Sequence, residues 1–380
     1  MGWLDTPPPP VPEALVLPPS ASPYLIGLIL AIGAQAITVP LCIAAFACKK
    51  SPAALVALGV ITAAAGLYFP PLMADMAVAR GIGDALDCLF GRFCGATVYA
   101  FVALRMFGAA LGATPKGADA ELSVWIAFAT GAVDITFDDE GKPIRPQSGA
   151  IARRLRSYAL RMVGLSLLSS LSEPHAAHPA FDALGEPQWG TPLAVAAGYA
   201  DHMLQLLVIW LFLTLSVDIG ALLLEVQGYT PISVFENPIF TSTSARIFWG
   251  RKWNLQVTTA FKRCVFAPLR NAAWPPALAA FVTFVCSGLF HEYQFVLAFP
   301  TYPIGTITKF FCVHGLICAL DAAVSKAGGK ERLANVPWQV KCLSLHLFYS
   351  PTIPMFAQTW IQAGFFSLIA KLGFRLAVPV

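Results

Sequence analysis

The chain has 380 residues, of which 57% are hydrophobic and only 12% charged, with a formal net charge of +4. Soluble domains carry about 25% charged residues because they must cover a water-facing surface. The composition therefore excludes an ordinary soluble enzyme and indicates that lipid covers much of the surface. The 9 cysteines lie mostly in apolar runs without a CxxC pair, so the sequence predicts neither a zinc site nor a disulfide framework.

The first 23 residues form a proline-rich tail containing TPPPPVP, which we expect to be extended. It does not resemble a signal peptide, because prolines stand where a basic segment is expected and the next apolar run is long enough to remain as an anchor. Residues 24–380 are predicted to form a single membrane-embedded domain.

The rest of the chain contains a series of long apolar stretches. A helix needs about 20 such residues to cross a bilayer. The stretch 193–224 is either one tilted helix or a broken pair, and 336–370 is long enough for two spans divided near 350–354. We predict an all-α polytopic membrane protein, a bundle of about eight or nine transmembrane helices. The stretches are 24–48, 53–74 with a break at Pro70 and Pro71, 93–114, 157–172, 193–224, 277–300, 304–324 and 336–370.

The distribution of basic residues predicts the orientation, since cytosolic loops are enriched in Lys and Arg. Four basic groups face the cytosol if the spans alternate from a lumenal N-terminus. The same assignment sends 173–190 to the lumen. The segment 121–135 is too short for a secure span and is predicted to be re-entrant or interfacial. The four groups are Lys49 with Lys50, Arg153 with Arg154 and Arg156, the segment 246–263, and the segment 326–332.

The interval 225–276 combines basic residues with Trp and Phe at an apolar boundary. Such a pattern is typical of a segment in the headgroup region, here on the cytosolic side. It either anchors the protein to lipid or binds a polyanionic ligand with an apolar tail, such as an acyl-CoA. The basic side chains include Arg246, Arg251, Lys252, Lys262, Arg263 and Arg270.

His291 and Glu292 interrupt the apolar run VCSGLFHEYQFVLAF. A charged group at membrane depth costs about 2.5 kcal/mol or more, so such residues usually face a protein interior or an aqueous cavity. His291 is either hydrogen-bonded between helices or functional. An apolar environment favours the neutral imidazole, which accepts a proton and suits a general base.

Two patterns together resemble a known family. The stretch NPIFTSTSARIFWGRKWNLQV is followed by SGLFHE, which places His291 37 positions after Asn254. Residues 231–299 thereby resemble the wax synthases, long-chain-alcohol acyltransferases of the membrane-bound O-acyltransferase superfamily, whose motif has the form FWGRRWN or FWGRRWH. The resemblance implies an acyl-CoA-dependent enzyme that makes wax esters. The endoplasmic reticulum is the expected location, because acyl-CoA and lipophilic alcohols usually meet there.

The resemblance also implies roles for individual residues. Asn254 and His291 occupy the two catalytic positions, His291 as base toward the alcohol and Asn254 as a donor to the thioester or oxyanion. By its residue type alone, Asn254 is equally a helix cap. Trp253 and Glu292 are expected to support them. The partners are acyl-CoA as co-substrate, a lipophilic alcohol and the bilayer, with no metal, resident cofactor or nucleic acid. The expected acyl-CoA-binding side chains are Arg246, Arg251, Lys252 and Arg263.

Several alternatives stay open. The acceptor is equally a sterol, a terpenoid or diacylglycerol. A transporter with polar groups along a path is a second class, although no clear inverted repeat supports it. His314 and His346 are interpreted as structural. The H-x3-D motif HPAFD at His178 and the acidic run Asp134, Asp138, Asp139 and Glu140 are interpreted as a chance match and a solvated turn. The polar groups of the transporter hypothesis are His291, Glu292, Asp201, His202 and Asp218.

Overall fold

The computed structural model describes residues 15–16, 21–177, 192–299, 302–329, 333–373 and 375–376. Apart from two antiparallel two-residue strands, β1 (Leu15–Val16) and β2 (Arg375–Leu376), the regular structure of the described residues is helical. The motif at His178 lies outside the described residues. The helices are α1 (Ser22–Ala47), α2 (Pro52–Ala79), α3 (Ala85–Ala110), α4 (Leu122–Thr130), α5 (Ala150–Ala177), α6 (Pro192–Val226), α7 (Pro238–Thr241), α8 (Ala245–Ile247), α9 (Leu255–Phe261), α10 (Ala267–Asn271), α11 (Pro276–Ala298), α12 (Thr306–Val324), α13 (Trp338–Tyr349), α14 (Ile353–Gln362) and α15 (Phe365–Leu372).

Six of these helices are long and apolar enough to cross a membrane, namely α1, α2, α3, α6, α11 and α12. The predicted all-α polytopic membrane protein is confirmed, but six is fewer than the eight or nine spans expected. The difference arises near the C-terminus and at α5. The apolar stretch 336–370 is divided into helices of 12, 10 and 8 residues, and α5 carries several arginines in its 28 residues.

Three expectations about helix breaks are resolved. The predicted break at Pro70 and Pro71 is wrong, because α2 continues through both prolines to Ala79. Proline is tolerated in membrane helices where neighbouring helices compensate, and Pro70 packs against Gly95 of α3. The stretch 193–224 is one continuous helix, α6, of 35 residues. The predicted division near 350–354 is found as a 3-10 turn at Ser350–Thr352.

The loops and helix ends rich in Lys and Arg meet on one side of the bundle, which we call the basic face. Hydrogen bonds and ion pairs join them, so the predicted placement of these groups on one side agrees with the contacts. That this side is the cytosolic one remains a prediction of the positive-inside rule. The contacts are Lys49 Nζ to the Asp119 carbonyl at 2.6 Å, Arg154 to Glu225 at 2.8 Å, Arg246 to Asp321 at 3.1 Å and Arg263 to Asp134 at 3.1 Å.

A buried ion-pair network ties α3 to the segment after α9. Asp134 is only 3% exposed and lies 2.9 Å from Arg105 of α3 and 3.1 Å from Arg263. The Gln256 side chain donates to Asp134 Oδ1 at 2.8 Å. The prediction that Asp134 belongs to a solvated acidic turn is therefore wrong, whereas Asp138, Asp139 and Glu140 are exposed as predicted.

The apolar core is divided between two large clusters. One surrounds Phe212, Phe295, Trp360 and Phe365, where α6, α11, α14 and α15 meet. The other packs α4 between α1, α3 and α6, and there Trp125 donates its indole hydrogen to the Cys42 carbonyl at 2.8 Å. The segment 121–135 is thus a short buried helix followed by a turn within the bundle.

Candidate active site

The segment 231–271, here called the signature segment, folds into short helices joined by π-helical turns at Phe248–Lys252 and Lys262–Phe266. Several of its aromatic side chains pack into the bundle: Phe248 is 4% exposed, and Trp253 stacks on it with ring centroids 5.3 Å apart. Arg251 and Lys262 are exposed. The segment therefore packs apolar side chains into the bundle and turns cations toward the basic face.

Trp249 of the signature segment contacts α12 inside the bundle. Its indole N–H donates to His314 Nδ1 at 3.2 Å, and its ring lies 5.7 Å from Phe311. Since an indole N–H can only donate, His314 Nδ1 must accept and Nε2 carries the hydrogen, which faces Thr352 Oγ1 at 3.1 Å. Both nitrogens of His314 are thus used structurally.

His291 lies on α11, half-buried, with its ring stacked on Phe311 at 4.5 Å. Nδ1 is 2.7 Å from the carbonyl oxygen of Ser287. A carbonyl can only accept, so Nδ1 carries the hydrogen and the neutral ring keeps its lone pair on Nε2. Within the described chain Nε2 makes no hydrogen bond. This arrangement presents an oriented acceptor, as a general base requires.

The two residues expected to be catalytic are connected only through aromatic neighbours. The signature segment reaches His291 through Trp249 and Phe311, and α9 meets α11 where Phe261 and Phe290 lie 5.6 Å apart. Among the described residues no hydrogen bond joins Asn254 to His291.

Asn254 begins α9 in the left-handed conformation, with φ 41° and ψ 64°. Asn tolerates this region better than most residues because its short polar side chain bonds locally. Its Oδ1 accepts a hydrogen bond from the Val257 amide at 3.4 Å, so Asn254 does cap the helix. The side-chain amide donors make no hydrogen bond within the described chain.

Glu292 is engaged away from His291. Its carboxylate accepts hydrogen bonds at the start of α12, from the Gly305 amide and from the amide and hydroxyl of Thr308 at 2.9 and 2.8 Å. A carboxylate is favourable at a helix N-terminus because it satisfies free amides and the helix dipole. No hydrogen bond or ion pair joins it to His291 in the described structure.

Three of the four basic side chains expected to bind acyl-CoA have partners inside the protein. Arg263 pairs with the buried Asp134, and Lys252 donates to the Thr241 hydroxyl. Arg246 pairs with Asp321 at 3.1 Å and donates to the Ser325 hydroxyl at 2.6 Å. Arg251 is exposed and has no hydrogen-bond or ion-pair partner in the described part of the chain.

The polar groups of the transporter hypothesis each have an internal partner. Asp218 pairs with Arg154 and Arg161, Asp201 accepts from Gln205 at 2.8 Å, and His202 lies 2.9 Å from the Ser350 hydroxyl. His346 uses Nε2 toward the Ile239 carbonyl, as the structural interpretation expected. Except for the contact between Asp201 and Gln205, which lies within α6, these contacts join separate segments of the bundle.

Sequence reasoning missed three contributors to the site: Ser287, Phe311 and Trp249. Ser287 has a recognisable signal, because a residue four positions before a helical histidine presents its carbonyl on the same side of the helix. Phe311 lies on another helix, so nothing in the spacing indicates that its ring stacks on His291.

The fold and site define a polytopic membrane protein with a histidine inside the bundle, packed against an aromatic and basic segment. Residues 231–313 match the membrane bound O-acyl transferase family. The predicted resemblance to wax synthases is confirmed by similarity to named relatives.

Three relatives illustrate the similarity. The chain is 36% identical over 105 residues to the long-chain-alcohol O-fatty-acyltransferase of Simmondsia chinensis, covering 26% of this chain and 30% of that protein. It is 30% identical over 167 residues to the probable long-chain-alcohol O-fatty-acyltransferase 3 of Arabidopsis thaliana, covering 42% and 45%. It is 29% identical over 152 residues to the acyl-CoA–sterol O-acyltransferase 1 of Arabidopsis thaliana, covering 37% and 44%. The matches thus span less than half of each relative's length.

Proposed function

We propose that the protein transfers a fatty acyl group from acyl-CoA to the hydroxyl of a long-chain alcohol, forming a wax ester in the endoplasmic reticulum membrane. The observation that carries the proposal is His291, held by the Ser287 carbonyl so that Nε2 keeps its lone pair inside the bundle. The names of the similar proteins support this reaction class and this acceptor.

In the proposed reaction, His291 Nε2 accepts the proton of the alcohol as its oxygen attacks the thioester carbonyl carbon. The carbonyl oxygen becomes an oxyanion, and the side-chain amide of Asn254 donates to it. When the intermediate collapses, the carbon–sulfur bond breaks and the CoA thiolate leaves. The proton on His291 then passes to the thiolate, which restores the neutral ring.

The Ser287 carbonyl supports both states of this base. It accepts from Nδ1–H at 2.7 Å when the ring is neutral, and the same bond strengthens when the ring becomes an imidazolium. The stacked Phe311 ring and the neighbouring Phe290 restrict the approach of water. Exclusion of water is needed because hydrolysis of the thioester competes with ester formation.

The first experiment compares wild type with His291→Gln. Gln is polar and similar in size to His but cannot take a proton at neutral pH. We expect kcat for ester formation from labelled acyl-CoA and hexadecanol to fall about 10²- to 10⁴-fold, the usual contribution of a general base. His202→Gln, a half-buried histidine bonded to Ser350, is the matched control and should retain activity. Undiminished turnover in His291→Gln contradicts the role of His291.

A sterol is the second candidate acceptor, because one similar protein is named as an acyl-CoA–sterol O-acyltransferase. The same purified protein offered cholesterol and hexadecanol in competition separates the two. Wax ester as the main product supports the first proposal, and sterol ester as the main product replaces it.

A further inference from the structure

A cleft of about 450 Å³ lies on the basic face between α5, α6 and the 230–235 segment. We call it the arginine cleft, because its lining includes Arg145, Arg153, Arg154 and Arg161. Its volume is in the range of small-molecule sites, about 300–1,000 Å³.

Two of the four arginines are neutralised inside the protein and two are not. Arg154 and Arg161 pair with carboxylates of α6. Arg145 and Arg153 are exposed and have no carboxylate partner in the described residues, although Arg153 donates to the Ser148 carbonyl at 2.9 Å. The cleft therefore keeps two unbalanced cations, which favour an anionic ligand.

Three buried polar atoms of the lining make no hydrogen bond within the described chain: Arg154 Nε, Glu225 Oε2 and Thr230 Oγ1. Glu225 is only 8% exposed. Because these atoms are enclosed by protein, an occupant of the cleft meets the exposed Arg145 and Arg153 side chains and not these three atoms. They comprise one donor, one acceptor and one hydroxyl that is both.

The cleft shares a wall with the segment around Asn254. Val234 and Phe235 belong to its lining. The Leu255 amide donates to the Val234 carbonyl at 2.8 Å, and the Phe235 ring lies 5.5 Å from Trp253. Asn254 therefore lies between two residues that contact the wall of the cleft.

We infer that the arginine cleft binds the phosphorylated nucleotide end of acyl-CoA, an inference that rests on the proposed function. Arg145 and Arg153 contact the phosphates. His291 lies 15 positions after the first residue of α11, about 22 Å along that helix from its end on the basic face. The inference requires the pantetheine arm to extend from the cleft into the bundle, so that the thioester reaches the histidine.

The test uses the full-length protein in detergent and two variants. In Arg145→Ala with Arg153→Ala, we expect the Kd of CoA by calorimetry and the KM of acyl-CoA to rise at least about tenfold, because two charged hydrogen-bond donors are lost. The kcat at saturation, and turnover with an S-acyl pantetheine that has no nucleotide, should not change. Arg156→Ala, exposed on the same helix but outside the lining, is the matched control and should behave as wild type.

The outcomes separate this inference from the proposed function. Ester formation with unchanged CoA binding in the double variant overturns the cleft assignment alone. CoA binding that is lost in the double variant supports the cleft even if wild type forms no ester, a result that contradicts only the proposed function. If the double variant loses co-purifying anionic phospholipid while its CoA affinity is unchanged, the cleft holds a lipid headgroup and the inference is wrong.

Discussion

At the scale of single residues, the chemistry of His291 depends on one backbone atom. The Ser287 carbonyl fixes which ring nitrogen carries the hydrogen, so the free lone pair is on Nε2. His314 has the same surroundings in general terms, apolar and inside the bundle, but both its nitrogens face polar side chains. His314 is also more deeply buried, at 1% exposed, than the half-buried His291. The difference between a candidate base and a structural histidine therefore lies both in hydrogen-bond partners and in burial.

Asn254 offers the sharpest test at this scale, because its oxygen and its amide group have separate tasks. Asn254→Asp keeps an oxygen to cap Val257 and tolerates the left-handed backbone, but it removes the amide donors. If the amide stabilises the oxyanion, we expect kcat for ester formation to fall about 10²-fold with little change in melting temperature.

The companion variant Asn254→Ala removes the cap as well. It should lose activity to a similar degree and also be less stable by about 1 kcal/mol, measured by thermal denaturation in detergent. An Asn254→Asp protein with wild-type kcat indicates that the residue serves only as the helix cap.

At the scale of elements, the signature segment performs two tasks that look alike in sequence. Its aromatic side chains pack into the bundle, and its exposed cations lie on the basic face. A mixed aromatic and basic composition is equally typical of a segment lying in lipid headgroups. Both the edge of a helical bundle and the headgroup region have an apolar environment on one side and a polar environment on the other. The composition therefore predicts that the segment lies at a boundary between apolar and polar surroundings. Its packing against α11 and α12 shows that the tryptophans contact protein.

The junction between α11 and α12 tests the role of Glu292. Glu292→Gln keeps one acceptor oxygen but removes the charge that favours the start of α12 and leaves fewer acceptors for Gly305 and Thr308. We expect the protein to lose about 1–2 kcal/mol of stability, with kcat per folded molecule and its pH profile unchanged.

Glu236→Gln, on an exposed glutamate, is the matched control and should not alter stability. A shifted pH profile of kcat in Glu292→Gln would instead show that the carboxylate acts on His291 electrostatically, as the sequence-based expectation of a supporting role allows.

At the scale of the whole molecule, the Asp134 network connects α3 to the signature segment. Burial raises the pKa of Asp134, but the charges of Arg105 and Arg263 outweigh burial and hold the pKa below its ordinary value. A lowered pKa means that the stabilisation is fully present above the ordinary carboxyl pKa of about 4 and is lost as pH falls below it.

Asp134→Asn should therefore destabilise the protein at neutral pH. It leaves two arginines without their counter-charge, one of them buried, which typically costs about 3–5 kcal/mol. Size-exclusion chromatography after stepwise heating measures the loss. Asp139→Asn, on the exposed turn, is the control, and equal melting of the two variants contradicts a stabilising role for the network.

The orientation of the bundle provides a second test at this scale. Single cysteines introduced at the exposed positions Arg251 and Lys142 should be labelled by a membrane-impermeant maleimide from the cytosolic side. Cysteines at Gly81 and Ile304, exposed on the opposite side of the bundle, should be labelled only after permeabilisation. The experiment is done with exposed Cys48 replaced by Ser. Labelling of Arg251 and Gly81 positions from the same side contradicts the arrangement of helices.

Sequence alone was sufficient for the properties that depend on local composition and spacing. An apolar stretch of sufficient length predicts a helix wherever lipid is the solvent, because the backbone groups must then hydrogen-bond to one another. A histidine in such a stretch costs free energy in whichever direction its side chain points. These arguments predicted the class of protein and most of the spanning helices and singled out His291 as a candidate base, and the signature residues predicted the family that residues 231–313 match.

Only the tertiary structure decided which polar groups are available for chemistry. Arg263 and Asp134 are separated by 129 positions, and no local pattern predicts that they neutralise each other. The same holds for Phe311 beside His291 and for the arginine cleft, whose walls come from separate parts of the chain. Whether a charge binds a ligand or balances another charge depends on distances between helices, and these are set by packing of the whole bundle.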